Sequence, residues 1–285
     1  MKQLREKWRE VIVVGLVLAC LSVWSLVFAH EESNLLKVYF LDIGQGDAIL
    51  IDSPTHGRVL IDGGPNRKVL SELGKMLPFG DKNIDVVIET HPDADHITGL
   101  VDVMNRYKIG TFLEPGVESP NKIDDALEKV VNEKNIPKLL ARRGVSIDLG
   151  GGAKLLILFP NQDVSSWETN DASIVAKLTY GKKSFLLTGD STKNSEYKIM
   201  TLGESILDSD VLKAGHHGSD GSTSILYAQT VSPEYAVISA GKNNSYGHPK
   251  KSVLNILQKV GAKIVSTIDL GTIEFETDGE SLILK

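Results

Sequence analysis

The chain has a single cysteine, Cys20, among 285 residues. That excludes a disulfide scaffold, and a thiolate-ligated metal site needs more than one sulfur. Positive charge is also in short supply: 31 Lys and Arg stand against 37 Asp and Glu, a net charge of −6. Composition alone therefore offers no basic footprint for nucleic acid. Aromatics make up only 6% and prolines number 10, yet 41% of the residues are hydrophobic. Such a balance excludes a disordered or collagen-like chain and leaves enough apolar material for a sizeable core. Long hydrophobic runs are missing too, with one exception, so the chain is not expected to form a channel by itself.

The exception is an uncharged run of 19 residues from Val11 to Ala29, preceded by Lys2, Arg5, Lys7 and Arg9 and followed by His30, Glu31 and Glu32. About 20 apolar residues suffice to cross a bilayer as a helix. Basic residues before the run and acidic ones after it orient the body outward. Residues 1–33 thus read as a single-pass membrane anchor, with a removable signal peptide cut near Val27-Phe28-Ala29 as the alternative. Either reading places residues 34–285 outside the cytoplasm, attached to the cell membrane or secreted. The first 29 residues carry four basic and two acidic side chains, which leaves the body at −8.

From Leu36 onward short β runs alternate with helical stretches. Lys37–Ile43, Ala48–Asp52 and Arg58–Ile61 read as strands, as does the nearly continuous apolar run Ile84–Glu89. Helices are expected over Asn66–Leu77, Ile97–Tyr107 and Asp124–Asn135, with a strand near Thr111 between the last two. The second half repeats the scheme, with strands at Ser173–Thr179, Ser184–Leu187, Val211–Lys213 and Ala236–Ser239. A last helix over Lys251–Val260 leads to strands at Lys263–Thr267, Thr272–Glu276 and Leu282–Leu284. The class is α/β, two sheets packed together with helices outside. The polar loop from Gln162 to Thr169 reads as the seam between halves.

The histidines are placed unevenly. His91-Pro92-Asp93-Ala94-Asp95-His96 puts four possible metal ligands into six residues, after a buried strand and before a helix, where active sites of α/β folds lie. Capping a helix needs one carboxylate and gives no use to two histidines. Other strands end in Asp190, in His216-His217, and in a glycine-rich loop bearing His248. Five of the seven histidines fall at such junctions. His30 and His56 read as surface residues.

With these motifs in place the chain resembles the metallo-β-lactamase fold hydrolases. Its His-x-Asp-x-Asp-His run is similar to their His-x-His-x-Asp-His, and Leu60-Ile61-Asp62-Gly63-Gly64 looks like their first motif. It is more similar still to the hydrolase domain of ComEC-type competence proteins, which also carry a multi-span channel region. That similarity rests on Leu41-Asp42-Ile43-Gly44-Gln45-Gly46-Asp47-Ala48, Leu187-Thr188-Gly189-Asp190, His216-His217-Gly218-Ser219 and Tyr246-Gly247-His248-Pro249. The resemblance implies a four-layer αββα sandwich behind one N-terminal hydrophobic helix, with a dinuclear metal site at one edge. His91 and Asp93 would hold one ion, Asp95 and His96 the other, with Asp190 bridging and either His216 or His217 completing the second site. Asp62 and Asp42 would support the ligands from behind. Two departures stand out: Asp93 replaces a histidine, and no histidine lies between His96 and His216, so that position falls to an oxygen of Asn170 or Asp171 or to water. Oxygen in place of nitrogen shifts preference from Zn²⁺ toward Mn²⁺.

The expected function is a metal-dependent hydrolase, foremost a phosphodiesterase or nuclease acting outside the cytoplasmic membrane. Two ions lower the pKa of a shared water and clamp attacking and leaving oxygens. His248 or the spare histidine of the pair would protonate the leaving oxygen, alongside Asp95 at the reacting centre. Lys213, Ser219, Asn244 and Tyr246 are candidates to contact phosphate. A small basic rim of Lys242, Lys250 and Lys251 partly answers the objection that the body is acidic. The alternatives are a lactone, thioester or β-lactam hydrolase, and a non-catalytic surface module holding one metal. Transport partners are left open.

Overall fold

The computed structural model describes residues 2–28 and 35–285. Residues before and after Asn34 form separate units. In the first, α1 (Lys2–Phe28) is helical. Among the described residues no helix is long and apolar enough to cross a membrane. The uncharged run ends at Ala29, which lies outside the described residues, as does His30.

The body opens with β1 (Leu36–Phe40), β2 (Ile49–Asp52), β3 (Arg58–Ile61), α2 (Lys68–Met76), β4 (Asn83–Ile88) and α3 (Ala94–Arg106). Next come β5 (Lys108–Glu114), α4 (Lys122–Glu133), β6 (Lys138–Leu140), β7 (Ser146–Gly150), β8 (Ala153–Phe159), β9 (Val175–Tyr180) and β10 (Lys183–Leu187). Then follow α5 (Lys193–Met200), α6 (Glu204–Leu207), β11 (Val211–Lys213), α7 (Ile225–Val231), β12 (Tyr235–Ile238) and α8 (Lys251–Lys259). The chain closes with β13 (Lys263–Ser266), α9 (Thr267–Leu270), β14 (Ile273–Thr277) and β15 (Leu282–Leu284).

Two sheets result, ordered β15-β14-β1-β2-β3-β4-β5-β6 and β13-β12-β11-β10-β9-β8-β7. Each has an antiparallel half and a parallel half. Strands β3 to β6 run parallel in the first sheet, and β10 to β13 in the second. Alternation along the strands explains the layers. Val38 and Phe40 face the second sheet while Tyr39 faces helices α2 to α4; Phe185 and Leu187 face the first sheet while Leu186 faces α5 to α8. The order is helix, sheet, sheet, helix, and both faces of the central strands are apolar because both are covered.

Three strands, β6 to β8, were not expected. Lys138, Leu139 and Leu140 of β6 are all exposed, and β8 alternates buried residues with exposed Lys154 and Leu156, so neither presents the continuous apolar run of a covered strand. The seam also falls elsewhere. The chain leaves the first sheet between β6 and β7 and returns with β14, whereas the polar loop from Gln162 to Thr169 joins β8 to β9 within one sheet. Polar composition marks that loop as exposed, not as a boundary.

Phe275 ties the sheets together. Its buried ring meets Tyr235, Phe185 and Phe40 edge-on, at centroid distances of 5.3, 5.9 and 6.1 Å. Phe275→Ala is expected to cost about 3–5 kcal/mol of stability in urea unfolding; a loss below about 1 kcal/mol would show that the core does not depend on this ring.

Candidate metal centre

The carboxyl ends of the parallel strands in both sheets meet at one rim, and the charged side chains of the sequence motifs gather there. Asp62 follows β3, His91 follows β4, and Asp95 and His96 lie in the first turn of α3. Asp190 follows β10, and His216 and His217 follow β11. Backbone packing makes this convergence possible. A Cβ on Gly99 would stand 2.0 Å from the Gly63 carbonyl, and one on Gly46 would stand 2.0 Å from that of Asp95. Glycine at both points lets the loops carrying Asp62 and Asp47 close on α3. Asp62, His216 and His217 adopt left-handed backbone angles, with φ of 58°, 47° and 54°, which non-glycine residues take up at some cost.

Asp190 is the centre. Its Oδ2 lies 3.2 Å from His217 Nε2, 3.4 Å from His96 Nε2 and 3.7 Å from His216 Nε2. His217 Nε2 is also 3.3 Å from Asp95 Oδ2, and His91 Nε2 is 3.6 Å from Asp93 Oδ2. Among the described residues four overlapping groups have donor atoms within 4.8 Å of one another: His91, His96 and Asp190; Asp95, His96 and His217; Asp47, Asp62 and His96; and Asp47, Asp190 and His217.

The opposite nitrogen of each buried ring is already engaged. His96 Nδ1 bonds Asp62 Oδ2 at 2.8 Å, His91 Nδ1 bonds Thr90 Oγ1 at 3.0 Å, and His217 Nδ1 bonds the Ser239 carbonyl at 2.9 Å. Asp62 is itself fixed by the amide and hydroxyl of Thr90, at 2.8 and 2.7 Å. Each ring therefore turns Nε2 toward the cluster, and Nε2 of His91, His96 and His217 is buried without a hydrogen-bond partner. Buried polar atoms are normally paired, and three imidazole nitrogens around a carboxylate are a donor set for divalent cations. The residues fit a metal centre.

Electrostatics agree. Burial would lower the pKa of His96 and His217, but Asp190, with Asp62 for the first and Asp47 for the second, raises both well above the ordinary imidazole value. Burial pushes Asp190 up, and His217, His96 and Lys213 outweigh it, holding the carboxyl well below its usual range. Burial pushes Asp95 up as well, and His217 and His96 together outweigh it and hold its carboxyl low.

The structure distinguishes the paired histidines. His217 is buried in the cluster, whereas the His216 side chain is 30% exposed at the mouth and packs against His248, centroids 5.5 Å apart. Asp171 is bonded by the Thr192 hydroxyl and its carbonyl by Ser195, so it is engaged elsewhere; Asn170 Oδ1 is buried without a partner.

Several expected roles need correction. Asp42 stands apart from the cluster, half-exposed, pairing with Lys68 at 2.8 Å. The aspartate that takes the supporting place is Asp47, buried 2.5 Å from Lys213 Nζ and 3.4 Å from His217 Nδ1. Lys213 cannot touch substrate: it is completely buried, 3.5 Å from Asp190 Oδ1, and donates to the Gly189 carbonyl. Ser219 accepts from the Gly221 amide in a tight turn. Asn244 spends its amide on Gly241 O and His248 O and accepts from His248 N, so it shapes the loop that presents His248. Tyr246 remains exposed at the rim. Sequence order alone gave no sign that Lys213, one residue among strand apolars, compensates buried charge.

Residues 41–242 match the metallo-beta-lactamase superfamily; the chain belongs to that family. Among curated relatives it is 34% identical over 276 residues to ComE operon protein 3 of Bacillus subtilis, covering 90% of this chain and 35% of that one. It is 31% identical over 267 residues to Recombination protein 2 of Haemophilus influenzae, covering 91% and 31%. The chain thus spans about a third of the length of these relatives. Among solved structures, Igni18, a metallo hydrolase from Ignicoccus hospitalis, superposes with a TM-score of 0.56 at 18% identity, covering 85% of this chain and 99% of that one. That likeness is one of fold.

Metal must displace the protons held on His96 and His217. Raising the pH removes that competition, so Mn²⁺ affinity by calorimetry is expected to be tighter at pH 8 than at pH 6, with proton release. Asp62→Asn should weaken it about 10–100-fold through loss of ring orientation. An affinity indifferent to pH and to Asp62 contradicts this assignment.

Proposed function

We propose that the protein is a metal-dependent phosphodiesterase acting on nucleic acid outside the cytoplasmic membrane, with its N-terminal segment as the tether. The observation that carries the reading is the convergence of the buried His91, His96 and His217 Nε2 atoms around the Asp190 carboxylate at an open sheet rim. His91, Asp93, Asp95, His96, Asp190 and His217 would hold divalent ions, and Asn170 offers an oxygen where many relatives of this fold class carry a histidine. Bound there, two ions supply Lewis acidity that activates water and offsets charge on a phosphoryl group. The oxygen-rich donors favour Mn²⁺ over Zn²⁺. One relative is named for recombination, and recombination is chemistry on nucleic acid.

The chain's own residues do the remaining work. Asp62, Thr90 and the Ser239 carbonyl fix the rings, so the donors need little reorganisation. Lys213 balances Asp47 and Asp190 beneath them. At the mouth stand His216 and His248. Burial, and then the charges of His216 and His217, lower the His248 pKa, which favours its neutral form. A phosphodiester anion arriving beside it raises that value again, and the protonated ring can then donate to the leaving oxygen. His216, lowered mainly by burial, is placed to share that task.

Offered Mn²⁺ with bis-(p-nitrophenyl) phosphate, single-stranded DNA and a lactone, the protein is expected to turn over both phosphodiesters. Asp190→Ala should reduce kcat about a thousandfold, the scale of several kcal/mol of lost charge stabilisation. Lactone turnover with both phosphodiesters untouched overturns the reading.

A further inference from the structure

Tyr246 belongs to none of the hydrophobic clusters and none of the metal-donor groups among the described residues, yet its loop is firmly held. It lies in the loop between β12 and α8 and is 61% exposed. The loop is rigidified from within: Asn244 makes three hydrogen bonds across it, and Lys250 Nζ donates to the Tyr246 carbonyl at 2.7 Å. One face of the Tyr246 ring lies over His248, nearly parallel at 22° with centroids 5.7 Å apart. His248 in turn meets His216 edge-on at 5.5 Å, and His216 meets His217 at 6.0 Å. A continuous row of rings thus runs from solvent to the buried cluster.

An exposed aromatic normally gains by burial, and here the ring is fixed at the mouth of the site instead. The segment that carries it, residues 241–251, is basic and has no acidic residue, with Lys242 and Lys251 exposed and Lys250 half-buried, although the body as a whole is acidic. A flat ring with a free face beside cationic side chains is the arrangement by which proteins hold unpaired bases while tracking the backbone. Bases inside a duplex have both faces covered by their neighbours, so such a ring selects single strands or frayed ends.

We infer that Tyr246 is a stacking platform for an unpaired nucleobase flanking the scissile phosphodiester. The inference rests on the phosphodiesterase reading of the metal centre and adds to it the element that recognises the strand. The phosphate contact expected of Tyr246 would use its hydroxyl; the geometry instead offers the ring face.

The test compares wild-type protein, Tyr246→Ala and Tyr246→Phe with Mn²⁺ on single-stranded oligothymidylate and on the same strand carrying abasic residues. Tyr246→Ala is expected to raise KM for oligothymidylate about tenfold, in line with the loss of one stacked base, and Tyr246→Phe to stay within about twofold of wild type. The abasic strand should already show the higher KM with wild-type protein and gain no further penalty from Tyr246→Ala. Equal effects of Tyr246→Ala on both strands, or an effect of Tyr246→Phe as large as that of Tyr246→Ala, overturn the stacking role while leaving phosphodiester turnover in place. Absence of any phosphodiester turnover by wild-type protein overturns the functional reading and the stacking role with it.

Discussion

A carboxylate with 2% of its surface exposed cannot remain ionised unless positive charge stands close to it. For Asp190 that charge comes from His96, His217 and Lys213. Asp47 and Asp62, also buried, sit behind the same imidazoles, and Lys213 is the ammonium between Asp47 and Asp190. Without an ion, the surrounding carboxylates favour the protonated forms of His96 and His217 against their burial. A divalent cation can take the place of those protons, because Nε2 of each buried ring already points inward. Metal binding is then an exchange of charge within a preformed cage, not a collapse of loops around an ion.

The cage depends on the sandwich around it. Left-handed backbone at Asp62, His216 and His217 costs on the order of 1–3 kcal/mol at each position, and the close glycine contacts allow no larger side chain. These conformations persist because the loops issue from strands whose apolar residues are covered on both faces. The parallel halves of the two sheets end at the same rim, so ligands far apart in sequence arrive together.

Much of this was legible in the chain. Strands such as Val211–Lys213 and Leu282–Leu284 are bounded as their β-branched and aliphatic residues suggest, and the ligands stand where those runs stop. What pairing of strands decides was not legible. The sequence offers no mark of the sheet change after β6, since an edge strand with exposed leucines looks like loop. Nor could it separate His216 from His217, which differ only in backbone direction and burial. Asp42 and Asp47 share one motif, and only packing shows that the first pairs with a surface lysine and the second lies beneath His217. Lys213 misled for a related reason: lysine is rarely found fully buried, so its compensation of two aspartates emerges from three dimensions alone.

On the proposed reading an acidic body would need its positive charge localised to bind a polyanion, and the ion cage with the short run of lysines near His248 would supply it. The central claim is that the cage holds divalent ions through Asp190 and the inward imidazole nitrogens. Anomalous diffraction from crystals of the Mn²⁺-loaded protein tests it most directly. The account predicts density peaks bounded by Asp190, His91, His96 and His217, with Asp47, Asp62 and Lys213 outside the coordination sphere. Peaks elsewhere, or none at this rim, would contradict it.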